Sequence, residues 1–344
     1  MKRITINKIA RLALLVMSVS FILGSCKKDG DGSPDNPAGS MASGTIAPGT
    51  AAGGEVITLS GSGIGDMRTI VFDKNNVPAA FYSTLNTPTA LVFRVPDTAF
   101  GGPQNIIFTN SAGKTLTVPF SVIALPNMTT AFPTDFVQGT IVTITGNNLD
   151  DVTSVVLDGT TDAATIVSKT RKKLVISMPN SNIDRAKLKI TNASGNRLTD
   201  MDFVNVTKAK TVFSEQLDNG FQDWGWGGSY AASVENPITG TKSLKAAFDP
   251  AGSWGGMQLG GGAINLAGYK YFTFWVKGAD IDKNVQFWLN WGNQKVITVP
   301  ANKWTYFRYE LATAYPGLTN VDAVIFQIFD AGKTFYFDNI MFIK

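Results

Sequence analysis

Between residues 45 and 207 apolar and polar side chains alternate over short runs. Two of them are Glu55-Val56-Ile57-Thr58-Leu59-Ser60-Gly61 and Thr140-Ile141-Val142-Thr143-Ile144-Thr145-Gly146. Successive side chains of a strand point to opposite faces, so these runs predict strands buried on one side. Gly, Asn, Asp and Pro turns separate them, which is the pattern of an antiparallel sandwich. From about Ala209 the texture becomes aromatic and glycine-rich. Strands are predicted at 211–213, 243–246, 271–278, 285–291, 303–311, 323–329 and 334–343. Around eight strands with few helix signals predict a jelly roll.

The middle of the chain repeats itself. Beyond the two runs above, Ile64 and Asp66 match Leu149 and Asp151, and Val71 and Asp73 match Val156 and Asp158. Leu91-Val92-Phe93-Arg94-Val95-Pro96 pairs with Leu174-Val175-Ile176-Ser177-Met178-Pro179, and Thr109-Asn110-Ser111-Ala112-Gly113 with Thr191-Asn192-Ala193-Ser194-Gly195. The offset of 82 to 85 residues is one small domain rather than a solenoid unit. The pattern resembles IPT/TIG domains, an immunoglobulin-like family, over 45–124 and 125–207. That resemblance implies spacer domains. Phe132 and Phe136 beside the second copy read as packing at a hinge.

Composition removes several chemistries. The chain has no histidine, so neither a Ser-His-Asp relay nor a histidine metal cluster can form. Its one cysteine, Cys26, rules out internal disulfides and thiolate zinc sites. The formal net charge of +4 comes from Lys2, Arg3, Lys8 and Arg11. Without these four the 30 basic residues become 26, against 26 acidic ones. A neutral chain with no basic stripe does not suit nucleic acid.

Residues 1–11 form a basic leader and 12–23 an apolar stretch, too short for a comfortable membrane span. Leu23-Gly24-Ser25-Cys26 resembles a bacterial lipobox. It implies a signal peptide over 1–25, lipidation of Cys26 and an outer-membrane anchor. Lys27-Lys28-Asp29-Gly30-Asp31 resembles the surface-export signal of Bacteroidetes lipoproteins. Residues 26–44 read as a flexible tether.

All seven tryptophans lie in the last 121 residues. An indole offers a broad apolar face and one donor, which suits stacking on sugar rings. In 285–291 alternation puts Val285, Phe287 and Leu289 on one face, and Gln286, Trp288 and Asn290 on the other. The second set, an aromatic between two amides, suits a saccharide. Gln327 shares an outward face if Phe326 and Ile328 face the core. Arg308 faces outward, either to hydrogen-bond hydroxyls or to shield a sheet edge. Trp254, between glycines at the end of a loop, and Trp291, ending its strand, are further candidates. One of Trp224 and Trp226 should be core and the other exposed, the alternation leaving open which, and Trp226 is taken into the candidate set.

The ordered pieces Gly220-Phe221-Gln222-Asp223-Trp224-Gly225-Trp226, Gly240-Thr241-Lys242-Ser243-Leu244, Ser253-Trp254-Gly255-Gly256-Met257, Phe274-Trp275-Val276-Lys277-Gly278 and Thr334-Phe335-Tyr336-Phe337-Asp338-Asn339-Ile340 carry a second resemblance. They resemble carbohydrate-binding jelly rolls of the galactose-binding-like type, over 208–344. That resemblance implies that Trp275 and Trp304 are core. Lipobox, Ig-like repeats and terminal aromatic module together resemble surface glycan-binding lipoproteins of Bacteroidetes polysaccharide-utilisation systems. This implies a polysaccharide as partner, held for a nearby outer-membrane transporter; the neutral candidate residues point to an uncharged polymer and flat stacking to a β-linked one. The resemblance also implies no required cofactor, and a structural Ca²⁺ at Glu215, Asp218 and Asp338, unless Asp338 merely caps a terminal turn.

No paired carboxylates in an apolar setting mark a glycosidase, so the expectation is a non-enzyme. The alternatives are an adhesin for host glycoconjugates, a glycoside hydrolase, or a surface protein whose aromatics are simply core.

Overall fold

The computed structural model describes residues 40–249, 254–329 and 332–344. Cys26, the leader and most of the tether lie outside the described residues. No described helix is long and apolar enough to cross a membrane. Two compact units divide the chain, meeting in sequence at Ala124 and Leu125.

The first unit is an Ig-like sandwich. One sheet joins Ala42–Ala47, Val56–Ser62 and Ala90–Arg94. The other joins Thr50–Ala52, Thr115–Ile123, Gly102–Asn110, Met67–Phe72 and Val77–Pro78. Its first strand begins at Ala42, inside the span expected as tether, because Ala42 and Ser43 pair with Ser62 and Gly61. Alternation holds where it was read: Ile57 and Leu59 are buried, and Ile57 faces Phe93 across the ladder.

The second unit contains an Ig-like domain and the terminal domain. In the former, Ile141–Asn147 pairs with Lys173–Ser177, Val142 opposite Ile176. This reproduces the pairing of the repeat partners in the first unit. Val142, Ile144, Leu174, Ile176, Leu188, Ile190 and Phe203 form its core. Phe136 belongs to that core and not to a hinge; Phe132 alone packs outward, edge-on to Trp275 at 5.5 Å.

The terminal domain is a sandwich of eleven strands rather than about eight, in sheets of six and five. The six-stranded sheet runs Gly228–Ser233, Ser243–Phe248, Thr334–Ile343, Tyr271–Lys277, Trp304–Glu310, with Lys210–Phe213 also on Thr334–Ile343. The five-stranded sheet runs Gln222–Asp223, Trp254–Asn265, Asn320–Phe329, Lys283–Leu289, Lys295–Val299. Phe272, Phe274, Phe287, Phe326, Phe335, Phe337 and Phe342 fill the space between them. Each such side chain contributes about 2–3 kcal/mol of burial free energy. Trp275 is buried but outside that core, and Trp304 is only half-buried at its strand's start. Trp275 faces away from the sandwich because it serves a contact with the preceding domain.

Candidate functional site

The outer face of the five-stranded sheet carries the exposed tryptophans, and glycines put them there. The strand Trp254–Asn265 bears Gly255, Gly256, Gly260, Gly261 and Gly262. Glycine weakens a strand on propensity alone and marks close approach of another group. Here that group is aromatic. The Trp226 ring covers Gly256, and the Trp224 ring covers Gly260 and Gly261. Phe221 lies over Gly262 on the core side. None of these positions has room for a Cβ.

Trp226 is fixed at several points. Its backbone N–H donates to Gly256 O at 2.8 Å and its C=O accepts from Gly256 N at 2.9 Å. Its indole Nε1 donates to Trp254 O at 2.7 Å, and Tyr230 Oη donates to its carbonyl at 2.9 Å. Burial, aided by Asp223 and Asp249, raises the Tyr230 phenol well above its ordinary value, so it stays a donor. Trp226 therefore offers a ring face and no spare N–H.

In Lys283–Leu289 the expected faces are found, with a change of role. Val285, Phe287 and Leu289 enter the core, and Gln286 and Trp288 point outward. Trp288 is nonetheless only 9 % exposed, walled by Ala323 and Ile325 and covered by Trp291 at 5.3 Å between centroids. Its assignment as an open stacking ring is corrected: it is the floor beneath Trp291. Asn290 is corrected as well. Its Oδ1 accepts from Asp322 N at 2.9 Å and Ala323 N at 3.1 Å, while Nδ2 donates to Asn320 O at 2.9 Å. Both ends of the amide hold the neighbouring strand.

Asn290 and Trp291 both sit at positive φ, 52° and 54°, and Gly292 N closes the turn on Leu289 O at 2.9 Å. Asn tolerates this region, but a bulky residue there is strained by about 1–2 kcal/mol. The turn folds Trp291 back over the sheet, 49 % exposed, with its plane within 22° of Trp226 at 6.0 Å.

Gln286 and Gln327 are direct cross-strand neighbours, and Gly256 pairs with Gln327 on the other side. They lie in a cleft of about 430 Å³ with Trp254, Phe329, Asn284, Thr298, Asp282 and Lys283. Trp254 starts its strand rather than ending a loop, and its ring lies 4.7 Å from Phe329, which is 52 % exposed. Trp226, Trp254, Gln286, Trp291 and Gln327 are thus brought to one face. Arg308 is not. It lies on the other sheet, opposite Thr273, with its guanidinium 5.0 Å over the Tyr271 ring.

Two members of the face were missed. Trp224 is 53 % exposed, and the glycine pair at 260–261 was the signal for it. Phe329 follows from the alternation that placed Gln327 outward, carried two residues further.

The carboxylates expected to hold calcium do not gather. Glu215 accepts from Thr241 N at 2.9 Å and Thr241 Oγ1 at 2.7 Å. Asp218 accepts from Thr211 Oγ1 at 2.7 Å and Ser214 Oγ at 3.2 Å. Asp338 is buried and accepts from Ile238 N at 2.7 Å and Asn339 N at 2.8 Å. Burial pushes its carboxyl up to about 8 against the pull of these N–H groups. Among the described residues no cluster of three or more His, Cys, Asp and Glu could hold a metal ion. The three residues do not fit the ion as a set.

Residues 126–204 match the family model of the IPT/TIG domain. No curated protein matches the chain. Among solved structures, the surface glycan-binding protein PbSGBP-B from Prevotella bryantii is similar. Its TM-score is 0.54 at 13 % identity, over 89 % of this chain and 99 % of that one. SGBP-B from a complex xyloglucan utilization locus in Bacteroides uniformis gives 0.48 at 16 %, over 89 % and 100 %. SGBP-B of a Bacteroides ovatus mixed-linkage glucan utilization locus, in complex with a mixed-linkage heptasaccharide, gives 0.34 at 13 %, over 86 % and 74 %. The Prevotella likeness extends over nearly the whole of that protein, and it shows a shared all-β fold.

Proposed function

We propose that the outer face of the five-stranded sheet binds a neutral polysaccharide, and that the Ig-like domains hold this face away from a membrane to which Cys26 is anchored. The observation that carries this reading is Trp291. Trp291, held at positive φ, covers Trp288 with one side and still leaves half of its own surface open to solvent beside Trp226. Strain maintained at a surface position argues for use there.

The chemistry of the face agrees. Trp224, Trp226, Trp254, Trp291 and Phe329 supply apolar planes, and Gln286, Gln327 and Asn284 supply neutral donors and acceptors. Stacking on C–H faces with amides on hydroxyls requires no charge. Among the described residues Asp282 is the single carboxylate lining the cleft, and its Oδ1 accepts from Ala301 N at 2.7 Å. A glycosidase works with two carboxyl groups flanking one bond, so the face reads as a binder. The fold shared with a surface glycan-binding protein supports the reading by analogy. The protein then captures polysaccharide at the cell surface for uptake by a neighbouring outer-membrane transporter.

A glycan microarray probed with the full chain tests this. Binding to neutral β-linked glycans is expected. Binding confined to host glycoconjugates would favour an adhesin, and shortened glycans would reveal a hydrolase.

A further inference from the structure

The second Ig-like domain and the terminal domain belong to one compact unit, although domains in one chain ordinarily move relative to each other unless a large apolar interface holds them. Their seam has a modest apolar part: Val204 and Val206 against Met341 and Ile343, with Val137 and Tyr271 alongside. At its rim Lys344 meets Asp184 at 3.1 Å, and the Arg185 guanidinium lies 5.3 Å over Tyr271. Exposed pairs of this kind hold little.

Its centre is polar. Asp135 is fully buried in the short strand Asp135–Phe136, which pairs with Phe203–Asn205 of its own domain. Its Oδ2 accepts from Trp275 Nε1 at 2.9 Å and from Asn339 Nδ2 at 3.2 Å, both in the terminal domain. Asn339 is itself fixed, since its Oδ1 accepts from Thr239 Oγ1 at 3.1 Å and its N–H is held by Asp338. Phe132 then seats edge-on against the Trp275 ring. Two donors that would be stranded in the seam thus converge on one oxygen. Leaving such groups unpaired is what a buried polar network penalises.

We infer that Asp135 is a latch: it accepts the Trp275 and Asn339 donors, locks the second Ig-like domain to the terminal domain, and so gives the aromatic face a fixed attitude to the domain before it. The other oxygen of Asp135 is buried without a partner, an arrangement suited to a neutral acid and hostile to a carboxylate. Burial pushes this carboxyl up to about 7, against the pull of Trp275 and Asn339, which supports the same form. The inference is independent of what the aromatic face binds.

Three variants of the full chain test it, by calorimetry and hydrogen exchange at pH 6. The wild-type residues 125–344 should unfold in one transition. Asp135→Ala strands both donors and should split it into two, with amide exchange at 338–341 at least tenfold faster. Trp275→Phe keeps an aromatic ring, though a smaller one, removes the donor and should move in the same direction; it decides the matter if Asp135→Ala does not fold. Asp135→Asn retains a neutral acceptor and should keep the single transition. Wild-type melting and exchange in both Asp135→Ala and Trp275→Phe would overturn the latch. So would Asp135→Asn behaving like Asp135→Ala.

Discussion

The indole of Trp226 lies across Gly256 so closely that no Cβ fits between ring and strand. The glycines of Trp254–Asn265 therefore act as seats for aromatic rings, and the seat and the ring are testable separately.

Gly256→Ala pushes the ring off the sheet. Overpacking of this kind costs about 1–3 kcal/mol, so chemical denaturation should show a loss in that range. Polysaccharide retention in native gels should fall with it. Gly268→Ala, at another glycine where nothing lies within 4 Å of the added Cβ, should leave retention unchanged.

Trp291→Gly separates strain from use. Glycine adopts the positive φ freely, regaining about 1 kcal/mol of strain, while Trp288 loses its cover. These oppose each other, so the melting temperature should move little. Affinity should fall at least tenfold, about 1.4 kcal/mol. Titration calorimetry and a thermal melt on the same sample check both.

Trp288→Ala should do the opposite. Removing a buried tryptophan costs about 3 kcal/mol, which for a unit of this size lowers the melting temperature by roughly 6–12 °C. Asn290→Ala should also destabilise, since it frees Asp322 N and Ala323 N. Differential scanning calorimetry measures both changes.

Stability should fall from acid to alkaline pH on account of Asp135 and Asp338. Their folded-state carboxyls are raised by burial to about 7 and about 8 from an ordinary 3.8. Between these values the folded protein binds more protons than the unfolded chain, so raising the pH favours unfolding. Their stabilising contribution is fully present below about 3.8 and is lost as the pH rises through 7 to 8. Melting temperatures at pH 5 and pH 9 should differ accordingly, and Asp135→Asn should flatten part of the slope.

Much of this architecture was legible in the chain because alternation and repetition are local signals. Ile57 and Val142, or Val285, Phe287 and Leu289, declare their faces within a few residues. What stayed hidden depends on contacts distant in sequence. The strand at Trp254 is masked by glycines that only make sense once Trp224 and Trp226 lie over them. Trp288 faces outward as alternation requires, yet its burial depends on a turn that folds Trp291 back. Asn290 looks like a ligand amide until Asn320, Asp322 and Ala323 arrive to use both its ends. Trp275 looks like core, but its N–H is spent on Asp135, 140 residues away in sequence. Arg308 lies on the opposite sheet, a fact that strand order alone decides.

The most direct test of the binding face is affinity electrophoresis of the full chain against a panel of neutral β-linked polysaccharides, with Trp254→Ala and Trp291→Gly run alongside. The account predicts strong retardation of the wild type by at least one polymer. In both variants that retardation should be lost while their melting temperatures stay near wild type. Unretarded migration in every polymer, or retardation equal in wild type and variants, would contradict it.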